Sequence, residues 1–265
     1  MPAKRPITFA VATYGSDEVL KSNFLASPLL SGPHPHQILI QRDYPSAAKA
    51  YNDAIDRAEN DLMVFAHQDM IFPETWLEQL DRSITYLDGV DPNWGVLGCC
   101  GVANGGAAHT WVYHPTQGML GGRFDSPVPI QTLDEIVLIF RRSSGLRFDD
   151  QLLHFHLYGT DICMRAAKKG MQSYAVPAFC VHNGTYHPLL PKEFYQNFRY
   201  ISEIWKDCLP IYTSCGVIAK IPLSMYKRRM REVYLQHIQR KAVLTPREKD
   251  GASLLRHVLS GMETR

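Results

Sequence analysis

Apolar positions along the first third of the chain switch between two periods. From Pro6 to Thr13, Ile7, Phe9 and Val11 alternate with smaller residues, which predicts an opening strand, and Tyr14-Gly15-Ser16-Asp17 supplies the turn that follows. A second short strand is expected over Gln37–Gln41, between Gly32-Pro33-His34-Pro35 and Asp43-Tyr44-Pro45. From Ser46, a plausible helix cap, the period lengthens: Tyr51, Ala54, Ile55 and Ala58 share one helical face, while Asn52, Asp53, Asp56, Arg57 and Glu59 fall elsewhere. The apolar run Leu62–Ala66 then reads as a buried strand leading straight into His67-Gln68-Asp69. Strand, helix and strand in this order form a crossover unit.

Pro73 opens a further helix through Leu87, with Trp76, Leu77, Leu80, Ile84 and Leu87 facing inward. Trp94–Val102 is apolar enough for one more buried strand, and Ala103–Gly122, rich in Gly and aromatics without a period, reads as a loop over a site. Ile136–Phe140 predicts a short central strand, Thr160 or Asp161 the start of a helix ending at Gly170, and Gln172–Val181 a final strand that delivers His182 to a rim. Beyond Pro191 the spacing of Phe194, Phe198, Ile201 and Trp205 is helical, as is the stretch from Pro222 to about Val243. Thr245–Arg265 is expected to fray.

A chain of 265 residues, 45% hydrophobic and 20% charged, can bury a substantial core. No apolar run reaches the roughly 20 residues that cross a bilayer, and no secretory pattern opens the chain, so residence in the cytoplasm is expected. Six cysteines without a C-x-x-C pair read as reduced core or surface thiols. A formal net charge of +2 gives no reason to expect a nucleic-acid partner. The cations do gather toward the carboxyl end, at Lys227, Arg228, Arg229, Arg231, Arg240 and Lys241, which leaves room for peripheral contact with the inner face of a membrane or for homo-oligomerisation.

The most informative junction is Leu62–Ala66 into His67-Gln68-Asp69. In open α/β sheets ligands bind beyond the carboxyl ends of strands, and a bound diphosphate calls for a divalent cation with hard oxygen ligands. A carboxylate at that position predicts a nucleotide-sugar site.

Two stretches carry a family resemblance. Ala50-Tyr51-Asn52-Asp53-Ala54-Ile55, Val64-Phe65-Ala66-His67-Gln68-Asp69-Met70 and Trp76-Leu77 form one, and Phe155–Cys163 with Arg165-Ala166 and Gly170 the other. In this order they resemble the GT-A-fold glycosyltransferases, in particular the inverting family-2-like group associated with antibiotic-sugar or polysaccharide pathways. The resemblance spans roughly Ile7 to Asn183. It implies an α/β fold with a mixed, mainly parallel central sheet flanked by helices over residues 1–190, and a helical C-terminal extension over 191–265.

The resemblance also implies roles. Asp69 matches the metal-binding end of the family's D-x-D motif, whose first position is His67 here, and His182 matches a histidine that completes the metal site. Mn²⁺ or Mg²⁺ would bridge the donor's phosphates, with the imidazole favouring Mn²⁺. The nucleotide side draws on Thr13, Tyr14, Asp43, Asn52, His67 and Gln68. Inverting transfer needs a carboxylate base facing the leaving group. Gly159 stands where that base customarily sits, which leaves Asp161 as first candidate and Asp134 as its rival. For Asp161 the plain alternative is a carboxylate at a helix N-terminus, and for His182 a surface or capping residue.

Transfer of a sugar from a nucleoside diphosphate to a sugar, lipid-linked or small-molecule hydroxyl acceptor is thus the leading expectation. A noncatalytic nucleotide- or sugar-binding member of the fold is the second. Nucleotidyl transfer to a sugar phosphate ranks third, because Tyr14-Gly15-Ser16 is a poor phosphate loop.

Overall fold

The computed structural model describes residues 5–185, 189–238 and 247–263. In chain order the strands are β1 (Thr8–Thr13), β2 (Gln37–Arg42), β3 (Leu62–His67), β4 (Met70–Ile71), β5 (Leu97–Gly98), β6 (Cys100–Val102), β7 (Ala108–His114), β8 (Gly118–Gly121), β9 (Val128–Ile130), β10 (Thr132–Leu133), β11 (Val137–Arg141), β12 (Ser173–Ala175), β13 (Cys180–His182), β14 (Ile211–Thr213) and β15 (Gly216–Ile218). The α-helices are α1 (Glu18–Ser22), α2 (Ala47–Arg57), α3 (Trp76–Val90), α4 (Tyr158–Lys168), α5 (Lys192–Ile204), α6 (Leu223–Ile238) and α7 (Gly251–Glu263).

A seven-stranded sheet runs β2-β1-β3-β11-β5-β12-β9. β2, β1 and β3 are parallel, β11 pairs antiparallel to both β3 and β5, and β12 lies parallel to β5. This is the mixed sheet flanked by helices that the family resemblance implies. A second sheet, β10-β6-β7-β13-β4 with β8 on β7, stands beyond the carboxyl end of β3.

Both faces of the large sheet are covered, which explains why its central strands read as continuous apolar runs. Met63 and Phe65 of β3 and Leu138 and Phe140 of β11 pack toward α2 and α4, joined by Ala54, Ile55 and Ile162. Leu62, Val64, Ala66, Val137 and Ile139 face the other way, onto Trp76, Leu80, Ile84 and Leu87 of α3. Ser46 caps α2 as expected, its hydroxyl accepting from the Lys49 amide. Phe65 is fully buried, with ring centroids 5.1 Å from Tyr51, 4.7 Å from Phe140 and 5.2 Å from Phe148. Phe65→Ala is expected to remove about 3–5 kcal/mol of stability, read by urea unfolding. A loss near zero would mean that these rings do not hold the sheet to α2.

Four expectations are corrected. Trp94–Val102 is two strands, since the chain leaves the large sheet after Gly98 and enters the second at Cys100. Gln172–Val181 likewise divides into β12 and β13, with Pro177, which has no N–H for a ladder, between them. Ala103–Gly122 is no loop: it carries β7 and β8, which pair from Trp111↔Gly121 to His114↔Gly118. Nor does the tail fray as far as it is described. α7 buries Leu255 and Val258 against Ile71, Trp111 and Phe179, because its apolar residues recur at helical spacing.

The helix foreseen from Pro222 is α6, and its predicted continuation over 239–243 lies outside the described residues. Residues beyond 190 pack onto the first part of the chain through Phe194, Phe198, Ile201, Ile211 and Ile218, and they include the β14–β15 hairpin as well as helices.

Candidate functional site

β3 ends at His67, a tight turn follows, and β4 pairs antiparallel with β13 so that Met70 faces His182. The Asn183 amide donates to the Asp69 carbonyl at 2.9 Å, which locks the two segments together. His67, Asp69 and His182 thereby meet, their possible ligand atoms all within 4.8 Å of one another. Nε2 of His182 stands 3.4 Å from Oδ1 of Asp69. A side chain at Gly184 would put its Cβ 2.8 Å from the His182 ring, so glycine there makes room for the imidazole. His114 stands behind, its ring centroid 5.4 Å from that of His182, and burial together with the His182 charge pushes it down to about 4, leaving it neutral.

Burial alone would raise the Asp69 pKa, but His182, His67 and Arg247 outweigh it and hold the carboxyl well below the usual range. His182 is moved the other way, burial being overcome by Asp69, and its pKa is raised. His67 is lowered chiefly by burial, and its Nε2 lies 3.0 Å from the Tyr158 hydroxyl. Two imidazoles and a carboxylate, their candidate ligand atoms within 4.8 Å of one another, form a donor set suited to a borderline divalent cation such as Mn²⁺. His67 therefore belongs with the candidate metal ligands, where the sequence reading placed it on ribose or phosphate.

Arg247 is the residue that the sequence reading missed. Its guanidinium stands 2.8 Å from Oδ2 of Asp69, and its Nε donates to the Asn183 carbonyl at 3.0 Å. Asn183 anchors the returning chain by donating to the Glu248 carbonyl and accepting from the Glu248 amide. The apolar spacing of α7 was the signal, since a helix docked there brings the preceding residues onto the site.

Among the other expected site residues the structure separates two groups. Thr13 and Gln68 join side chain to side chain at 2.6 Å, Asp43 accepts from the Gly15 amide, and the Tyr14 ring is 78% exposed. All four lie at the carboxyl ends of β1, β2 and β3, beside the His67–Asp69 turn. Asn52 does not join them. It is buried, donates to the Phe148 carbonyl and to Asp150, and accepts from the Phe148 amide, so its role is to tie α2 to the 148–150 segment.

The carboxylates also part company. Asp161 is 1% exposed; one oxygen accepts from Arg165 at 2.6 Å and the other from Trp205 at 2.9 Å, and burial raises its pKa. Both oxygens are committed, one to Arg165 within α4 and the other to Trp205 at the end of α5, which argues against its use as a base. Asp134 is half-buried, accepts from Ser214 and from the Ile136 amide, and its charge acts on both His67 and His182. Next to it, burial and the Asp134 charge push the Glu135 carboxyl up to about 8, against opposing amides of Leu157 and Gly159.

Gly159 explains the arrangement. A Cβ there would fall 2.6 Å from the Leu133 carbonyl oxygen and 3.3 Å from Cγ of Glu135. No carboxylate can project from α4 at that position, because the Asp134-Glu135 turn fills the space from the opposite side.

No protein-family model matches the chain. Over 139 residues, 51% of this chain, it is 25% identical to a protein of Fuscovulum blasticum described as ATP synthase subunits region ORF 6; the match spans 56% of that protein, little more than half its length. Among solved structures, residues 1–349 of S. aureus TarS superpose with a TM-score of 0.49 at 14% identity, covering 89% of this chain and 72% of that one. The same protein in complex with UDP gives 0.48 at 14% identity, covering 88% and 72%. The mannosyltransferase PcManGT from Pyrobaculum calidifontis, in complex with GDP-Man and Mn²⁺, gives 0.46 at 13% identity, covering 76% of this chain and 61% of that one. At these scores the similarity says nothing of this chain's chemistry, which rests on the side chains above.

Proposed function

We propose that this chain is a GT-A-type glycosyltransferase that moves a sugar from a nucleoside-diphosphate donor to a hydroxyl acceptor, with inversion and with a divalent cation, Mn²⁺ in preference to Mg²⁺. The observation that carries this reading is the meeting of His67, Asp69 and His182 just beyond the carboxyl ends of the parallel strands β1 and β3. When bound, the cation neutralises negative charge that builds on the departing diphosphate. Arg247, already on Asp69, adds a positive charge at the same point. Thr13, Tyr14, Asp43 and Gln68 form the rim for the nucleoside, with the exposed Tyr14 ring as a stacking face for the base.

Asp134 serves as base. Its carboxylate takes the proton of the acceptor hydroxyl as that oxygen bonds to the anomeric carbon. The bond from that carbon to the diphosphate oxygen breaks, and the electron pair leaves with the nucleoside diphosphate. Tyr158 holds His67 through its hydroxyl while donating to the Glu135 carbonyl at 3.2 Å, so the metal side and the base side share one strut.

Titration calorimetry with UDP-, GDP- and dTDP-sugars, with and without Mn²⁺, tests the reading. At least one donor is expected to bind more tightly with Mn²⁺ and to release nucleoside diphosphate slowly to water. Absence of binding across the panel would remove the proposal. Binding without turnover on any acceptor would favour a noncatalytic donor-binding protein, a reading to which the Arg247–Asp69 pair also lends support, since it supplies the aspartate with a partner from within the chain.

A further inference from the structure

The outer face of α6 is built unlike any other surface described. Leu223, Tyr226, Met230 and Tyr234 recur at spacings of three and four residues, so they share one side of the helix. All four are more than 60% exposed, Met230 reaching 73%, and Ile221 just before the helix is 72% exposed. Described residues on the inner side are engaged. Met225 is buried, and Glu232, 3% exposed, takes the Arg228 guanidinium at 3.0 Å and the Tyr195 hydroxyl at 2.6 Å. Glu232 is the only acidic residue in α6, and it is spent inward.

Cations border the apolar stripe on both sides. By helical geometry Arg229 lies along one edge, over the Tyr195 ring at 4.7 Å, while Lys227 and Arg231 lie along the other. Beside the Arg229 edge, a hollow of about 280 Å³ opens between α5 and α6, with Phe198 and Met225 in its wall and Lys192, Arg199 and Arg229 among its lining. An apolar stripe edged with Lys and Arg and free of outward carboxylates is the pattern of a helix lying in a bilayer interface. α6 has 16 residues with four cations among them, too short and too charged to cross one.

We infer that α6 docks this protein on an anionic lipid surface, Leu223, Tyr226, Met230 and Tyr234 entering the headgroup–acyl boundary while Arg229, Lys227 and Arg231 meet lipid phosphates. Charge complementarity selects this occupant over a second copy of the chain. Pairing two α6 stripes face to face would oppose cation to cation along both edges, with no outward carboxylate on α6 to answer them. Vesicle binding involves neither donor nor catalysis, so its outcome is separate from that of the glycosyltransferase reading.

Co-sedimentation of the full chain with vesicles of phosphatidylcholine, with and without about one-third phosphatidylserine, tests it. Binding is expected only to the anionic vesicles and weakens with salt. Each cation near such a surface is worth about fivefold in partitioning, so the double variant K227E/R231E is expected to lose at least about 25-fold. Y226S/M230S keeps every charge and is expected to lose binding through the apolar stripe; circular dichroism confirms that both variants fold. Equal recovery with neutral and anionic vesicles, or variants that bind like the unaltered chain, would overturn the inference. So would a concentration-dependent dimer that Y226S/M230S dissolves, with no vesicle binding.

Discussion

Asp69→Asn is expected to abolish the strengthening of donor binding by Mn²⁺ and to lower donor hydrolysis by about 10²–10³-fold, the cost of losing an electrostatic contact to developing charge in a water-poor site. Asparagine keeps the size of the side chain and removes its charge. That charge is the reason a cation would stay: among the described residues, the cluster with metal-ligand geometry contains one carboxylate and two imidazoles. Its neighbours favour the ionised carboxylate, since His182, His67 and Arg247 outweigh a burial that opposes it. The same substitution also strands Arg247 and His182 beside a neutral amide. Breaking a buried pair costs up to about 3–5 kcal/mol, although Arg247 is 30% exposed and water recovers part of this. Activity and stability must therefore be read together. A variant with a native-like melt at the assay temperature but no Mn²⁺ effect supports the metal role, whereas one that still binds donor more tightly with Mn²⁺ shows that the cation sits elsewhere.

The residues that were legible in the sequence are those whose neighbours in the chain fix them. β1, β2, β3, α2 and α3 follow from apolar runs and a helical stripe, because the sheet is covered on both faces and each helix buries one. Asp69 could be ranked by its place at a strand end, whereas the metal role of His182 rested on the family resemblance alone. Their meeting followed from the family resemblance and not from spacing, for it depends on the two-residue strand β4 pairing with β13 across more than a hundred residues. Asn52 shows the opposite failure. On the helix wheel it belongs to the polar face of α2, yet the 148–150 segment folds over that face and consumes its amide. Arg247 was hidden because short polar segments before a helix carry no period of their own. Asp161 looked catalytic by the family resemblance, and only Trp205, just beyond α5, reveals that its second oxygen is taken.

Asp134→Asn is expected to lower turnover by about 10²–10⁴-fold, the range for removing a general base, while donor affinity with Mn²⁺ stays near that of the unaltered chain. The split between binding and turnover is what separates a base from a residue that merely shapes the pocket. Asp161→Asn is expected to do the reverse. Its carboxylate, 1% exposed, holds Arg165 and Trp205, so its loss should lower the melting temperature and leave turnover of the folded fraction intact. Burial and the Asp134 charge push the Glu135 carboxyl up to about 8, which favours its protonated form near neutral pH and puts Asp134 ahead of it as the candidate base. Sterics close the remaining route, because Leu133 and Glu135 occupy the space that any side chain at 159 would need. Under the proposed mechanism, the carboxylate serving the acceptor comes from the turn between β10 and β11, across from α4. Full turnover in Asp134→Asn, or a silent Asp161→Asn enzyme with a native melting temperature, would return the base to α4.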